Sequence, residues 1–182
     1  MTTPRRMTQN TLSALKGWPS PYAVDFAATF DPSVFSPTRP YVSAGTVVRL
    51  NANGQYVLGV GRNRVMPLFL FTTSDAPDVS NPGGDVTADK DAFVGIGPTG
   101  KAMALVASGA YELVSTEFVT GQNYPPNTPL TSQDTGANAG RLQPGVLYTD
   151  MIVGIVSRGI VDNGHGRPAV AFWPFPVFPT TE

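Results

Sequence analysis

Residues 152–161 read I-V-G-I-V-S-R-G-I-V, residues 162–166 D-N-G-H-G, and residues 167–179 R-P-A-V-A-F-W-P-F-P-V-F-P. Two apolar runs flank an Asp/Asn/Gly cluster, the pattern of a β-hairpin. The second run fills with aromatics and prolines instead of ending. Proline has no N–H for a sheet ladder and is confined to edges, strand ends and bulges. Pro174 and Pro176 share parity, so both missing donors fall on one side of an extended segment and the other side stays free to pair. Phe172, Trp173, Phe175, Val177 and Phe178 carry more apolar surface than a sheet edge leaves in water. Ala169 to Trp173 reads as core strand and Pro174 to Pro179 as interface, in a chain built to associate.

Working back from this hairpin, short strands recur. G-T-V-V-R-L (45–50), N-A-N-G (51–54) and Q-Y-V-L-G-V (55–60) form a hairpin signal with Asn53-Gly54 in the turn, and M-P-L-F-L-F-T (66–72) supplies a third strand. Residues 74–92 are a long polar loop. Phe93 to Ile96, Lys101 to Ala107 and Tyr111 to Thr120 read as further strands, although K-A-M-A-L-V-A also fits a helix. Residues 124–140 are mostly loop around one short strand. A weak echo sets A-G-T-V-V-R-L, V-L-G-V-G-R-N-R and P-L-F-L-F against N-T-P-L-T, I-V-G-I-V-S-R-G and A-V-A-F-W. Duplication and chance similarity among β-rich segments both account for it.

Residues 1–40 differ. Prolines stand at 4, 19, 21, 32, 37 and 40. Thr8 to Lys16 allows a short helix stopped by Gly17. The remainder mixes aromatics and prolines without a sustained period, while a disordered tail is poorer in aromatics. The expected organisation is therefore an extended N-terminal arm, 1–40, lying on another surface and not needed for folding. It precedes a β-rich domain, 41–182, in which the duplication, if it is one, sets two related units near 41–110 and 111–182. The fold class is all-β: a compact barrel or sandwich of short antiparallel strands.

Composition supports this. Gly (19) and Pro (18) make up about a fifth of the 182 residues, against an average nearer 12 %. Charged residues are only 14 % and the net charge is −1, which provides no basic field for nucleic acid. A charge so near zero does little to keep copies apart. There is no cysteine, hence no disulfide and no thiolate metal site, in keeping with synthesis in a reducing cytoplasm. Residues 1–10 lack the apolar run of a signal peptide. No segment approaches the roughly 20 apolar residues of a membrane span.

Four motifs suggest chemistry. Gly95-Ile-Gly-Pro-Thr-Gly100-Lys101 fits G-x-G-x-x-G, but Ala102 replaces the hydroxyl a P-loop needs and Pro98 removes an N–H; a turn between strands is the simpler reading. His165, the one histidine, sits among turn glycines instead of beside a buried acid. Asp75, Asp78, Asp85, Asp89 and Asp91 offer oxygen ligands without the spacing of a twelve-residue calcium loop. Arg5-Arg6 is too small a pair for a nucleic-acid footprint. No catalytic residue, cofactor or metal site is expected. The candidate contact residues are Arg5, Arg6, Trp18, Tyr22, Phe26, Phe30 and Phe35 of the arm, with Trp173, Phe175 and Phe178.

From Tyr111 to Pro174, the runs A-Y-E-L-V-S-T-E-F-V-T, Y-P-P-N-T-P-L-T-S, A-G-R-L, Y-T-D, I-V-G-I-V-S-R-G, N-G-H-G and A-V-A-F-W-P follow in an order that resembles the C-terminal half of capsid decoration, or cement, proteins of tailed bacteriophages. The resemblance covers about a third of the chain and consists of strand and turn positions. It implies a non-enzymatic structural protein, made in the host cytoplasm and placed on the capsid exterior of the virion. Its implied partners are the major capsid protein and further copies of itself, a homotrimer before a dimer, with neither nucleic acid nor membrane bound. A tail, fibre or adaptor module that binds host glycan or another tail protein is the alternative, with Trp18 or Trp173 as the aromatic platform. A small hydrolase lacks clustered acids on regular elements.

Overall fold

A computed structural model describes residues 12–16, 25–71, 101–105, 112–163 and 166–180. These form eleven strands: β1 Leu12–Lys16, β2 Asp25–Thr29, β3 Val47–Leu50, β4 Tyr56–Leu58, β5 Leu68–Phe71, β6 Lys101–Leu105, β7 Glu112–Ser115, β8 Pro129–Ser132, β9 Leu142–Pro144, β10 Ile152–Asp162 and β11 Pro168–Val177. One 3₁₀ turn, Pro32–Val34, follows β2. The fold is all-β, as expected. Two antiparallel sheets run β1-β7-β11-β10-β8-β9 and β2-β6-β5-β3-β4.

Adding five to each strand number of the second sheet gives β7-β11-β10-β8-β9, the first sheet without β1. The registers agree residue by residue. Val48 opposite Leu58 and Leu50 opposite Tyr56 correspond to Leu130 opposite Pro144 and Ser132 opposite Leu142. Val48 with Leu68 corresponds to Leu130 with Gly154. Leu70 with Ala104 corresponds to Val156 with Phe172, and Phe26 with Ala104 to Leu113 with Phe172. In each five-stranded set one parallel bridge ties the two outer strands, Phe30 after β2 to Tyr56 of β4 and Phe118 after β7 to Leu142 of β9. It is a single residue pair, so neither sheet closes into a barrel. The chain is thus two five-stranded units of one topology, 25–105 and 112–177.

Their cores match as well. Phe30, Val48, Tyr56, Leu70 and Ala104 share one buried cluster; the equivalent Phe118, Leu130, Leu142, Val156 and Phe172 share the other. Side chains alternate faces along a strand, and the first unit uses both. Val48, Leu68 and Leu70 face their own core, whereas Val47 and Phe69 enter the core of the second unit, where the Phe69 and Phe172 rings lie 5.5 Å apart. Backbone bonds reinforce the junction: Val47 N–H to Gly140 O at 2.8 Å, Gly61 N–H to Ser132 O at 2.8 Å, Met151 N–H to Gly61 O at 3.1 Å. Gly59 at φ +64 permits the approach, since a Cβ there would stand 1.7 Å from Gln133 O.

Three expectations change. The hairpin at Asn53-Gly54 forms, with Gly54 at φ +73, but the first unit begins at Asp25, not at 41. Residues 25–40 are therefore not an arm laid on another surface and dispensable for folding. β2 pairs with β6, and Phe30 and Val34 are buried in their own chain's core. The Thr8–Lys16 helix is also not formed, since Leu12–Lys16 is a strand antiparallel to β7. A nine-residue helix is marginal by itself, and pairing with a sheet edge outweighs its propensity. Lys101–Leu105, by contrast, is the strand it was read as, and the helical alternative falls away. The sequence echo rightly set 44–50 (β3) against 127–131 (β8) but matched its other two pairs wrongly, because β10 answers β5 and β11 answers β6.

The two cores differ in a compensating way. Where the second unit has Leu142 and Phe172, the first has Tyr56 and Ala104, and the Tyr56 hydroxyl is hydrogen-bonded to the backbone of Ala104 and Ala28. The phenol fills the space a large residue 104 would need. We expect Ala104→Phe alone to cost about 1–3 kcal/mol through overpacking. Paired with Tyr56→Leu, the cost should fall below the sum of the single losses by about 0.5–3 kcal/mol. Urea titrations of the four proteins in this cycle give the coupling; strict additivity would mean the cores are not interchangeable.

Candidate functional site

The outer face of β11 is covered at one end and bare at the other. Ala169 and Ala171 are fully buried with Val114, and Val170 and Phe172, of opposite parity, lie in the main core. Pairing with β7 stops at Phe172, while pairing with β10 continues to Val177. Beyond Phe172, β11 therefore has no described neighbour on the β7 side, and Pro174 and Pro176 interrupt no ladder there. Pro174 turns inward and is buried. Trp173 and Phe175 fall on the outer face, 47 % and 56 % exposed. Trp173 stands opposite Ile155, which stands opposite Pro129, so this apolar face crosses three strands.

The end of the strand adds to it. Thr180 N–H donates to Tyr148 O at 2.9 Å, which sets exposed Phe178 close to a turn whose Val146, Leu147 and Tyr148 are all exposed. That turn is fixed: Asp150 accepts the Val146 N–H at 2.9 Å and returns its own N–H to Val146 O at 2.9 Å. Tyr148 has φ +66, a conformation that side chains adopt only where surroundings enforce it. The sequence reading missed residues 146–148; the signal available was a V-L-Y run directly after Gly145.

Of the residues expected to make contacts, Trp173, Phe175 and Phe178 come together at this surface. Phe30 does not, being 2 % exposed, with Phe35 packed edge-on against it at 5.4 Å; both belong to the first unit's core region. Phe26 is a sheet residue opposite Ala104. Arg5, Arg6, Trp18, Tyr22, the five loop aspartates and His165 lie outside the described residues. So does the glycine run up to Gly100; Lys101 opens a strand, which leaves the run without the helix N-terminus a P-loop requires.

Two polar sites lie elsewhere. In the second unit, Arg158 grips the buried Glu112 carboxylate with two hydrogen bonds of 2.9 Å, and the Ser157 hydroxyl donates to the same carboxylate. This is a cross-strand clamp: the serine proton already goes to a carboxylate held by arginine. Between the units opens a cleft of about 650 Å³ lined by Arg39, Tyr41, Ser43, Glu117 and Arg141 among others. Arg39 donates to Gly136 O and Ala137 O at 2.9 and 3.2 Å, and Arg141 stands 3.5 Å from Glu117. Burial pushes the Glu117 carboxyl above its ordinary range, opposed by the charge and hydrogen bond of Arg141. Among the described residues, no three metal-ligating side chains gather.

No family model, curated protein or solved structure matches this chain.

Glu117 predicts a pH effect. A carboxyl raised in the folded state binds its proton more tightly there than when unfolded, so its contribution is fully present below the unfolded value. It is lost as pH rises through the folded one. Relative to Glu117→Gln, the wild-type melting temperature should fall between pH 4.5 and the raised folded value. Parallel melts at pH 4, 5, 6 and 7 check this; parallel curves would place Glu117 outside the pH dependence.

Proposed function

We propose that this chain decorates the outer surface of a tailed-phage capsid, where it bridges and stabilises major capsid protein subunits as a homo-oligomer. The observation that carries the reading is the set of exposed aromatics: Trp173 and Phe175 on β11, whose Val170 and Phe172 lie in the core, and Phe178 just beyond its end. Because their backbone is already fixed, docking them costs little ordering entropy. Burying a Phe side chain contributes about 1.5–3 kcal/mol. Several such attachments on one oligomer multiply avidity without any strong single site. A net charge of −1 leaves little repulsion between copies. The strand and turn order resembling cement proteins points to the capsid as the partner. Local threefold positions on a capsid lattice make a trimer the first oligomer to test.

Phe175→Ala combined with Phe178→Ala should weaken capsid binding at least tenfold in co-sedimentation, since anchor truncation costs about 2 kcal/mol or more. The melting temperature should move little, because both rings are solvent-facing. Particles lacking the protein should rupture at lower temperature than decorated ones, because a ligand selective for the intact lattice stabilises it. Equal rupture temperatures, or a few copies per virion in place of hundreds, would replace this reading with a tail role.

A further inference from the structure

The two sheets present four edges, and three are protected. β1 has a bulge between Ala14 and Lys16 and ends on the lysine. β9 is three residues long and ends at Pro144. β4 is also three residues long, and Phe30 bridges it at Tyr56. Short edges, bulges, lysines and prolines are how proteins keep strands from pairing with other chains. The bridge from Phe30 also closes the end of the β2 edge, but along Asp25–Thr29 β2 has none of these. Its five residues, D-F-A-A-T, hold five consecutive register pairs with β6 without a bulge, and no proline or lysine interrupts them.

The repeat shows what such an edge takes. β7 is the counterpart of β2, and its outer edge carries an antiparallel strand: β1, at Leu12 to Ser115, Ser13 to Val114 and Ala14 to Leu113. The equivalent stretch of the first unit is 26–28, with Ala27 in the place of Val114. No strand pairs with that edge among the described residues.

We propose that the β2 edge is a self-association site, filled by β2 of a second copy running antiparallel across a two-fold axis at Ala27. Such an interface is isologous, so the segment must be complementary to itself. D-F-A-A-T is. With Ala27 opposite its twin, Phe26 falls opposite Ala28 and Asp25 opposite Thr29, so no like charges and no two bulky residues meet. The product is one continuous ten-stranded sheet made of two five-stranded sheets. It is a two-fold dimer, in place of the threefold that the cement resemblance implied. The proposal does not rest on the capsid reading, and the solution mass alone tests it.

The cysteine-free sequence allows a clean test on the full chain. Directly opposed residues of an antiparallel pair are about 4.5–5.5 Å apart at Cα, within disulfide reach. Ala27→Cys should therefore give a covalent dimer under mild oxidation, whereas Thr29→Cys, four positions out of register with its twin, should not. Light scattering of the wild type should give twice the 19.2 kDa chain mass, and Ala27→Lys, which sets two lysines face to face, should give one chain mass. A monomeric wild type, a trimer, or equal cross-linking of the two cysteine variants would overturn the proposal. So would a monomeric wild type whose capsid binding is lost in Ala27→Lys, which would assign the edge to a strand of another protein. If Ala27→Lys fails to fold, the cysteine pair decides.

Discussion

Everything in this structure depends on strands β3 and β5 being buried on both faces. Val48, Leu68 and Leu70 fill the first unit's core, and from the opposite face Val47 and Phe69 enter the second's. Alternation along a strand makes this an all-or-none arrangement, because a slip of one residue would exchange the two sets. The units are thereby fused through side chains that belong to both cores. The tight approach at Gly59 and the backbone bonds from Val47, Gly61 and Met151 follow from that packing. So does the position of the polar cleft, where the loops at 36–43 and 136–141 meet outside the shared core.

The fusion gives the exposed aromatics their meaning. Trp173 and Phe175 continue the strand that carries Phe172 and Pro174 inward, so pairing with β10 sets where their backbone lies. The prolines mark where β11 has lost its β7 neighbour and keeps only β10. A flexible tail of the same composition would spend much of its binding energy on ordering. Here the ordering is done by folding, and the surface offered is apolar, fixed and continuous across β11, β10 and β8.

The internal repeat was only faintly legible in the sequence, for definite reasons. Equivalent residues lie 87 positions apart at Phe26 and Leu113 but 68 at Ala104 and Phe172, and the hairpins differ in length, with the β3–β4 turn spanning 51–55 and the β8–β9 turn 133–141. Equivalent core positions hold different residues, Tyr56 for Leu142 and Ala104 for Phe172, because packing conserves the volume of a cluster and not the identity of each member. β2 hid for another reason. Five residues, two of them alanine, carry no convincing period, and the prolines around them mimic an arm.

Local pattern by itself determined the β class, the hairpin turn at Asn53-Gly54, the β10–β11 hairpin and the burial of Ala169 to Phe172; the break between core and surface falls elsewhere than expected, since Trp173 is exposed while Pro174 and Pro179 are buried. These depend on period-two alternation, on glycine's tolerance of positive φ and on proline's missing donor, all properties of neighbouring residues. Only the tertiary structure decided that Leu12–Lys16 is strand and not helix, that Phe30 is core and not contact surface, and that Val146, Leu147 and Tyr148 lie by the chain's end. Each depends on a partner distant in sequence: Val114 for Ser13, Tyr56 for Phe30, Thr180 for Tyr148. A short segment's own preference is worth tenths of a kcal/mol per residue, and pairing with a preformed edge or entering a core outweighs it.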